Sequence, residues 1–269
     1  MKPIQLMPAD TARNIRWVLT DIDDTMTMHG KLVSEAYAAL CALKEAGLRV
    51  IAVTGRSAGW GEIHLHEWPI DAVITENGAI AYFREGPSDA ASPLSGGTLI
   101  DPSAVPNTDP ALRRALAASL LAVPRSRPAR DNHFRLYDLA IDHAEYVDPP
   151  LTGAEVAEII SIFEKEGCTA KPSSIHINTW IGSFNKRAAA VAYLGSREGY
   201  VDGRDRGKVL YVGDALNDEV MFEYFPNACA VANIDLWLDR LTHTPAWVAG
   251  GRFGAGFAEI GNHVLSMRK

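Results

Sequence analysis

Asp21, Asp23 and Asp24 place three carboxylates within four positions, immediately after Arg16-Trp17-Val18-Leu19-Thr20, a largely apolar run that reads as a short buried strand. Crowded carboxylates at the end of a core strand are costly unless a cation or a shared proton compensates them. The strand end is therefore expected to hold a metal ion, a covalent nucleophile, or both. A second apolar run, Lys208-Val209-Leu210-Tyr211-Val212, closes in Gly213-Asp214-Ala215-Leu216-Asn217-Asp218-Glu219. Two strands that each deliver carboxylates at their C-terminal ends predict one shared site, because open α/β sheets bind ligands outside those ends, at a strand-order switch point. Carboxylate oxygens with a few retained waters are what Mg2+ prefers.

The elements between these motifs set the fold class. Ser34 to Ala46 has helical periodicity, with Ser34 as N-cap and Gly47 as a stop. Leu48 to Val53 reads as a strand ending in Thr54-Gly55-Arg56-Ser57, and residues 58–68 as a helix. Ala72-Val73-Ile74 is a further strand, ending in Thr75-Glu76-Asn77-Gly78. This alternation predicts an α/β protein with a Rossmann-like parallel-sheet core. Past residue 84 the pattern changes. Residues 85–109 are rich in Gly, Pro and Ser; then come a helix (109–122), a strand (135–142), a helix (152–166) and a strand (173–181). In the last strand Ile175, Ile177 and Ile181 fall on one face, and Ser174, His176, Asn178 and Trp180 on the other. That is a sheet packed on helices with a polar face left open. Residues 84–182 are thus expected to form an inserted α+β cap domain, with 15–83 and 183–269 as the core. The core style resumes with a helix at 186–196, the strand at 208–212, a helix after Asp218 and a strand at 228–232.

Composition bounds the function. The chain has 269 residues, 47% of them apolar, and a formal net charge of -7. That charge argues against a bulk electrostatic grip on nucleic acid, while a metal and one or two local cations can still draw an anionic substrate into a cleft. Cys41, Cys168 and Cys229 are far apart with no Cys-x-x-Cys pair, the expectation for reduced thiols in a cytoplasmic protein. No segment approaches a membrane span, no apolar signal core opens the chain, and residues 1–14 read as a loose lead-in.

Four pieces stand in order: Asp21-x-Asp23-x-Thr25, Thr54 in Val-Thr-Gly-Arg-Ser, Lys186 opening a helix, and Gly213-Asp214-x-x-Asn217-Asp218. From about residue 15 onward the chain resembles the haloacid dehalogenase-like superfamily, with an insertion similar to its type IIB cap, as in Cof-like and sugar-phosphate phosphatases. The resemblance implies that Asp21 is a nucleophile forming an aspartyl-phosphate, and that Asp23 protonates the leaving oxygen and then deprotonates water. It implies that Thr54 and Lys186 hold phosphoryl oxygens. It also implies that Asp214 binds Mg2+ with the Asp21 carboxylate and the Asp23 backbone carbonyl, Asp218 supporting the ion through water. Physical chemistry points the same way. A carboxylate is a weak nucleophile toward an anionic phosphate unless charge is neutralised, and a second carboxylate two residues on is placed for proton transfer. Many relatives carry Gly where this chain has Asp24; that carboxylate reads as a solvated turn residue.

Taken singly, several of these residues have plainer readings. Thr54 alone is a strand-end cap and Lys186 alone a surface lysine; the order of the motifs raises both. Arg56 can pair with substrate, with the cap, or in a surface salt bridge. Glu76-Asn77-Gly78 suits a turn, although a similar Glu-Asn-Gly often lies near the cleft of such proteins, which makes Asn77 a candidate. His64 and His66 point in different directions on a helix and are read as structural. The expected substrate-binding set is Thr54, Gly55, Arg56, Asn77 and Lys186 from the core and Asp138, His176 and Asn178 from the polar cap face. The expected activity is a Mg2+-dependent phosphatase acting on a small phosphorylated metabolite, a sugar phosphate first of all, with no nucleic-acid or membrane partner, as a monomer or homodimer. A phosphosugar mutase and a non-catalytic ligand-binding protein on the same fold are the alternatives.

Overall fold

The computed structural model of the protein describes residues 1–84 and 96–268. Of the Gly/Pro/Ser-rich stretch, residues 85–95 lie outside the described residues. The apolar runs assemble into a nine-stranded sheet in the order Lys2–Pro3, Trp247–Val248, Asn227–Ala230, Val209–Gly213, Trp17–Thr20, Arg49–Val53, Ala72–Thr75, Ile80–Arg84 and Gly96–Ile100. The first seven in that order pair in parallel and the last two antiparallel. Trp17–Thr20 lies beside Val209–Gly213, Leu19 opposite Tyr211 and Thr20 opposite Val212, so both acidic motifs leave the sheet side by side. Every residue of these two strands is buried, because parallel strands are covered on both faces. Val18, Val50 and Val212 pack under helices Ser34–Glu45 and Phe253–Ser266. Leu19, Ile51 and Tyr211 pack under helix Lys186–Arg197 through Ala190, Tyr193 and Leu194.

The inserted unit has a four-stranded antiparallel sheet, in the order Thr169–Pro172, His176–Trp180, Asp138–Asp142 and Arg127–Pro128. Helices Pro110–Ala122 and Gly153–Lys165 cover one face through Leu112, Ile159 and Phe163, which meet Leu139, Ile141 and Ile177. Local chemistry starts both helices. Asp109 caps the first, its side chain accepting from Ala111 N with proline at the first turn, and Thr152 with Glu155 forms a capping box on the second. The molecule is therefore an α/β protein with a parallel-dominated core sheet and an α+β cap.

Several expectations need correction. Ser34 is the first helical residue, Val33 holds the N-cap position, and no side chain caps the turn. The opening residues are not a loose lead-in: Lys2–Pro3 extends the core sheet, helix Ala9–Asn14 follows, and Ile4, Met7 and Ala12 enter the core. The sequence starts the cap at about 84, yet Gly96–Ile100 pairs with Ile80–Arg84 at the edge of the large sheet. Non-local pairing decides that assignment, and composition does not carry it. The strand read at 173–181 is shorter, His176–Trp180, and a strand not expected from the sequence, Thr169–Pro172, precedes it across a turn. Ile175 therefore leaves the cap core and lines a cavity instead. The strand read at 135–142 is shorter, Asp138–Asp142, because the backbone of residues 136–138 bonds to Glu76 of the core.

Candidate active site

Asp21 continues its strand by one step, its N–H donating to Val212 O of the neighbouring strand at 2.9 Å. Its carboxylate thereby meets those of Asp214 and Asp218, the three offering oxygens within 4.8 Å of one another, all buried. Lys186, the first residue of helix Lys186–Arg197, is buried among them. Its Nζ donates to Asp21 Oδ1 at 2.8 Å and to Asp218 Oδ1 at 2.7 Å. Asp218 also accepts from Tyr211 Oη at 2.6 Å, Asp214 N at 2.9 Å and Ala215 N at 3.2 Å. Gly213 makes this possible, since a Cβ there would stand 2.5 Å from Asp218 Oδ2. Asp214 accepts from Thr25 Oγ1 at 3.2 Å and Asn233 Nδ2 at 3.0 Å. Asn233 also reaches Asp24 O at 3.0 Å, tying the two acidic loops together.

Three buried carboxylates face one ammonium, and the imbalance shows in the protonation of Asp21 and Asp214. Asp21 is pushed up to about 7, burial being the largest cause; Lys186 pulls the other way, and the charges of Asp218 and Asp23 add to the rise. Asp214 is raised well above the usual carboxylate range by burial and by Asp218 and Asp21. Burial works against the charge of Lys186, yet Asp21 and Asp218 outweigh it and hold the ammonium above the ordinary lysine value. An all-oxygen, charge-deficient donor set fits a hard divalent cation such as Mg2+. Asp21 and Asp214 are the residues suited to hold it. Asp218 already accepts four hydrogen bonds and serves by fixing Lys186 and the 214–215 backbone.

Asp23 sits half-buried beside this cluster in the grip of Arg56, whose Nη2 donates at 2.7 Å and Nε at 3.1 and 3.2 Å. Burial raises its carboxyl, but the Arg56 charge and hydrogen bonds outweigh burial and hold it below the usual range. Arg56 Nη1 lies 3.0 Å from His64 Nε2. His64 stacks between Trp60 and Trp68 and is lowered to about 3 by burial and then by Arg56, so it stays neutral. Among the described residues it takes part in no metal-ligating cluster. Thr54 is buried at the strand end, its Oγ1 accepting from Arg56 N at 3.1 Å. Asp24 has φ 55°, in the left-handed region that glycine enters freely. Asp24 thus holds a tight turn, half-buried.

The cap's polar face meets the core directly over this site. A Cβ on Gly55 would stand 2.8 Å from Asn178 Nδ2 and 3.3 Å from both side-chain polar atoms of Asn77, so a core asparagine and a cap asparagine converge on the Thr54–Arg56 loop. Four buried polar atoms hereabouts have no protein partner: Asn77 Nδ2, Asn178 Oδ1, Trp180 Nε1 and Asn217 Oδ1. Asn77, Trp180 and Asn217 line a cavity of about 110 Å³ together with Lys186 and Lys171. Unmet buried donors and acceptors beside a buried ammonium are what a polyoxygen ligand would satisfy. A wider cavity of about 670 Å³ opens on the other side of the site, from Asp23 and Arg56 past His176 to Trp60, Phe134, Tyr146 and Arg130. His176 Nε2 lies 2.9 Å from Glu145 Oε2. Asp138 is placed differently: it is fully buried and takes Arg135 Nη1 at 2.8 and 2.9 Å.

The structure thus brings Asp21, Asp23, Thr54, Gly55, Arg56, Asn77, Asn178, Lys186, Asp214 and Asp218 to one place, with His176 on the wall of the adjoining cavity. Sequence reasoning missed Thr25, Tyr211, Asn217 and Asn233, which support or line the cluster, and Glu76, Asp131 and Arg135 beside the Thr54 loop. Thr25, Asn217 and Glu76 stood inside motifs already in view; Asn233 carries no local signal, since its partners are distant in the chain, and the local pairing of Asp131 and Arg135 shows only once residues 131–138 are seated on the core.

Residues 18–96 match the family model of haloacid dehalogenase-like hydrolases. No curated protein matches the chain. Among solved structures, a protein from Thermoplasma acidophilum is similar over 93% of this chain and 98% of its own, with TM-score 0.70 and 19% identity. A putative HAD/COF-like hydrolase from Plasmodium vivax is similar over 96% and 99%, with TM-score 0.68 and 19% identity. A haloacid dehalogenase subclass IIB sugar phosphatase is similar over 87% and 92%, with TM-score 0.58 and 15% identity.

Proposed function

We propose that this chain, which has the fold of the haloacid dehalogenase-like hydrolases with a IIB-type cap, is a Mg2+-dependent phosphatase of a small phosphorylated metabolite. The observation that carries the reading is the buried Asp21–Lys186–Asp218 array beside Asp214, a nucleophile, a phosphate-side cation and metal-ligating oxygens in one place. Lys186 fixes Asp21 Oδ1 and so orients the carboxylate for attack on phosphorus. As the Asp21 O–P bond forms, the P–O bond to the leaving group breaks, and Asp23 supplies the proton that the leaving oxygen needs. Water then attacks the aspartyl-phosphate and returns a proton to Asp23. Arg56 holds Asp23 in its ionised form, the form suited to this second step; a substrate oxygen drawing Arg56 away favours the protonated form needed in the first. A bound Mg2+ at Asp21 and Asp214 would neutralise charge on the transferring group. Thr54, Asn77, Asn178 and Lys186 surround the phosphoryl oxygens, and residues from about 101 to 183 act as the lid.

The leaving group lies on the Asp23 side, hence in the larger cavity. Trp60, Phe134 and Tyr146 line it and are 41%, 53% and 49% exposed. They are three of the four markedly exposed aromatic rings among the described residues, the fourth being Tyr37. Ring faces gathered around one cavity favour a ring-form sugar phosphate over an open-chain one, and the His176–Glu145 pair offers hydroxyl partners. Cysteines without disulfides fit a cytoplasmic enzyme. The test is phosphate release over a panel of phosphorylated metabolites that includes glucose 6-phosphate and its open-chain analogue sorbitol 6-phosphate, with and without chelator. Release to water that stops on chelation supports the reading; transfer to a second sugar without free phosphate points to the mutase alternative.

A further inference from the structure

Glu76, Asp131, Arg135 and Asp138 are charged side chains, wholly or largely buried, that the chemistry above does not use. Glu76 belongs to the core, yet most of its hydrogen bonds come from the cap. Oε1 accepts from Ala58 N of the core at 2.9 Å and from Leu136 N of the cap at 2.9 Å. Oε2 accepts from Tyr137 N at 2.7 Å and Asp138 N at 3.1 Å, both of the cap. A carboxylate is kept out of water only where donors replace the water, and here another layer of the protein supplies three of the four.

Arg135 crosses the same seam in the opposite direction. Its Nη1 donates to Gly55 O of the core at 2.9 Å. Asp138 on one side, at 2.8 and 2.9 Å, and Asp131 on the other, at 3.1 and 3.0 Å, hold the guanidinium in place. Asp131 Oδ2 also accepts from Ser57 N at 3.4 Å. Beneath this seam the two core loops are laced together, Glu76 N donating to Arg56 O at 2.9 Å and Asn77 N to Thr54 O at 3.1 Å. Glu76 and Asn77 both have left-handed backbone, φ 49° and 57°, a conformation that non-glycine residues keep only where the surroundings over-determine it.

We propose that Glu76 and Arg135 are positioning residues, a two-way clasp through which the cap segment 131–138 sets the shape of the Thr54–Gly55–Arg56 loop. The inference rests on reading that loop as phosphate-side. It follows that the loop takes its working shape only with this segment seated on the core. Arginine is required at 135 because one planar fork serves two carboxylates and a carbonyl together, which a lysine ammonium does not reproduce.

The test uses the full chain with Mg2+, and reads inhibition by inorganic phosphate, KM and kcat for an aryl phosphate, and the melting temperature. Two variants are compared with the wild type: Glu76→Gln, and Arg135→Met combined with Asp138→Asn. The second removes the fully buried pair of opposite charges jointly, a change that proteins often accept without unfolding, and leaves Asp131, whose side chain is 13% exposed, with Ser57 N as its donor. The expected result is phosphate inhibition weakened about tenfold or more, the size seen when a group that holds a ligating side chain from behind is removed. KM should rise in parallel, whatever the melting temperature does. Wild-type phosphate inhibition in the folded double variant, or in Glu76→Gln if the double variant does not fold, overturns the clasp. A wild type that neither hydrolyses the ester nor is inhibited by phosphate overturns the phosphatase reading itself, and the clasp with it.

Discussion

In the metal-free protein, the carboxylate cluster should make stability fall as pH rises, and Asp21→Asn should remove much of that fall. The Asp21 carboxyl moves from 3.8 to about 7 on folding. Its folded pKa lies above its unfolded one, so the folded state binds more protons between about pH 4 and 7. Its stabilising contribution is full below pH 4 and is lost as pH climbs through 7. About three units at about 1.4 kcal/mol each give a loss on the order of 4 kcal/mol, with a slope of up to about 1.4 kcal/mol per pH unit. Asparagine stays neutral and Lys186 keeps Asp218 as partner, so the variant should lack that slope. Urea unfolding of both proteins in chelator at pH 5, 6, 7 and 8 measures it. The difference between the two proteins isolates Asp21 from carboxylates common to both, apart from its coupling to Asp214. Mg2+ should restore the wild type increasingly toward pH 8, since the cation and the proton compete for the same oxygens. Parallel stability–pH curves for wild type and Asp21→Asn would refute the argument that burial and crowding load this cluster.

Four further outcomes follow from the geometry. Asp23→Asn should slow dephosphorylation more than phosphorylation when the leaving group is a good one, so that rapid quenching finds phosphoenzyme building up; normal turnover with good and poor leaving groups alike would exclude Asp23 as the proton carrier. Lys186→Ala strips the shared cation from two buried carboxylates and should cost about 3–5 kcal/mol of stability at neutral pH in chelator, as well as weakening inhibition by phosphate; an unchanged urea midpoint would contradict its place in the cluster. Phe134→Ala should narrow the preference for glucose 6-phosphate over sorbitol 6-phosphate, and His176→Ala with Asn178→Ala should shift preference among sugar phosphates. A cap-face role in specificity is excluded if kcat/KM changes equally for every substrate, a small aryl phosphate included.

The core was legible because its strands are parallel and buried on both faces, so each reads as an unbroken apolar run. The chemistry was legible because carboxylates at the end of such a run have no cheap structural reason to be there. Gly213 shows how tightly the motif is built, a Cβ at that position being forced against Asp218. What stayed hidden depends on partners far apart in the chain. Gly96–Ile100 is too glycine-rich to announce a strand, and only its pairing with Ile80–Arg84 makes it one. Lys2–Pro3 joins the sheet through Trp247–Val248, at the far end of the chain. Asp138 reads as a polar-face residue by alternation, but its partner Arg135 sits three positions earlier, where no regular strand positions it. Glu76 looked like turn chemistry until the cap amides were seen to converge on it.

The central claim is that Asp21 carries the phosphoryl group. Acid-quenching the enzyme during turnover of a phosphate ester with Mg2+, followed by peptide mapping, tests it most directly. The account predicts an acid-stable, hydroxylamine-labile phosphate on the peptide containing Asp21, present in wild type and absent in Asp21→Asn, which releases no phosphate. Phosphate release by Asp21→Asn at the wild-type rate, or a covalent phosphate on any other residue, would contradict it.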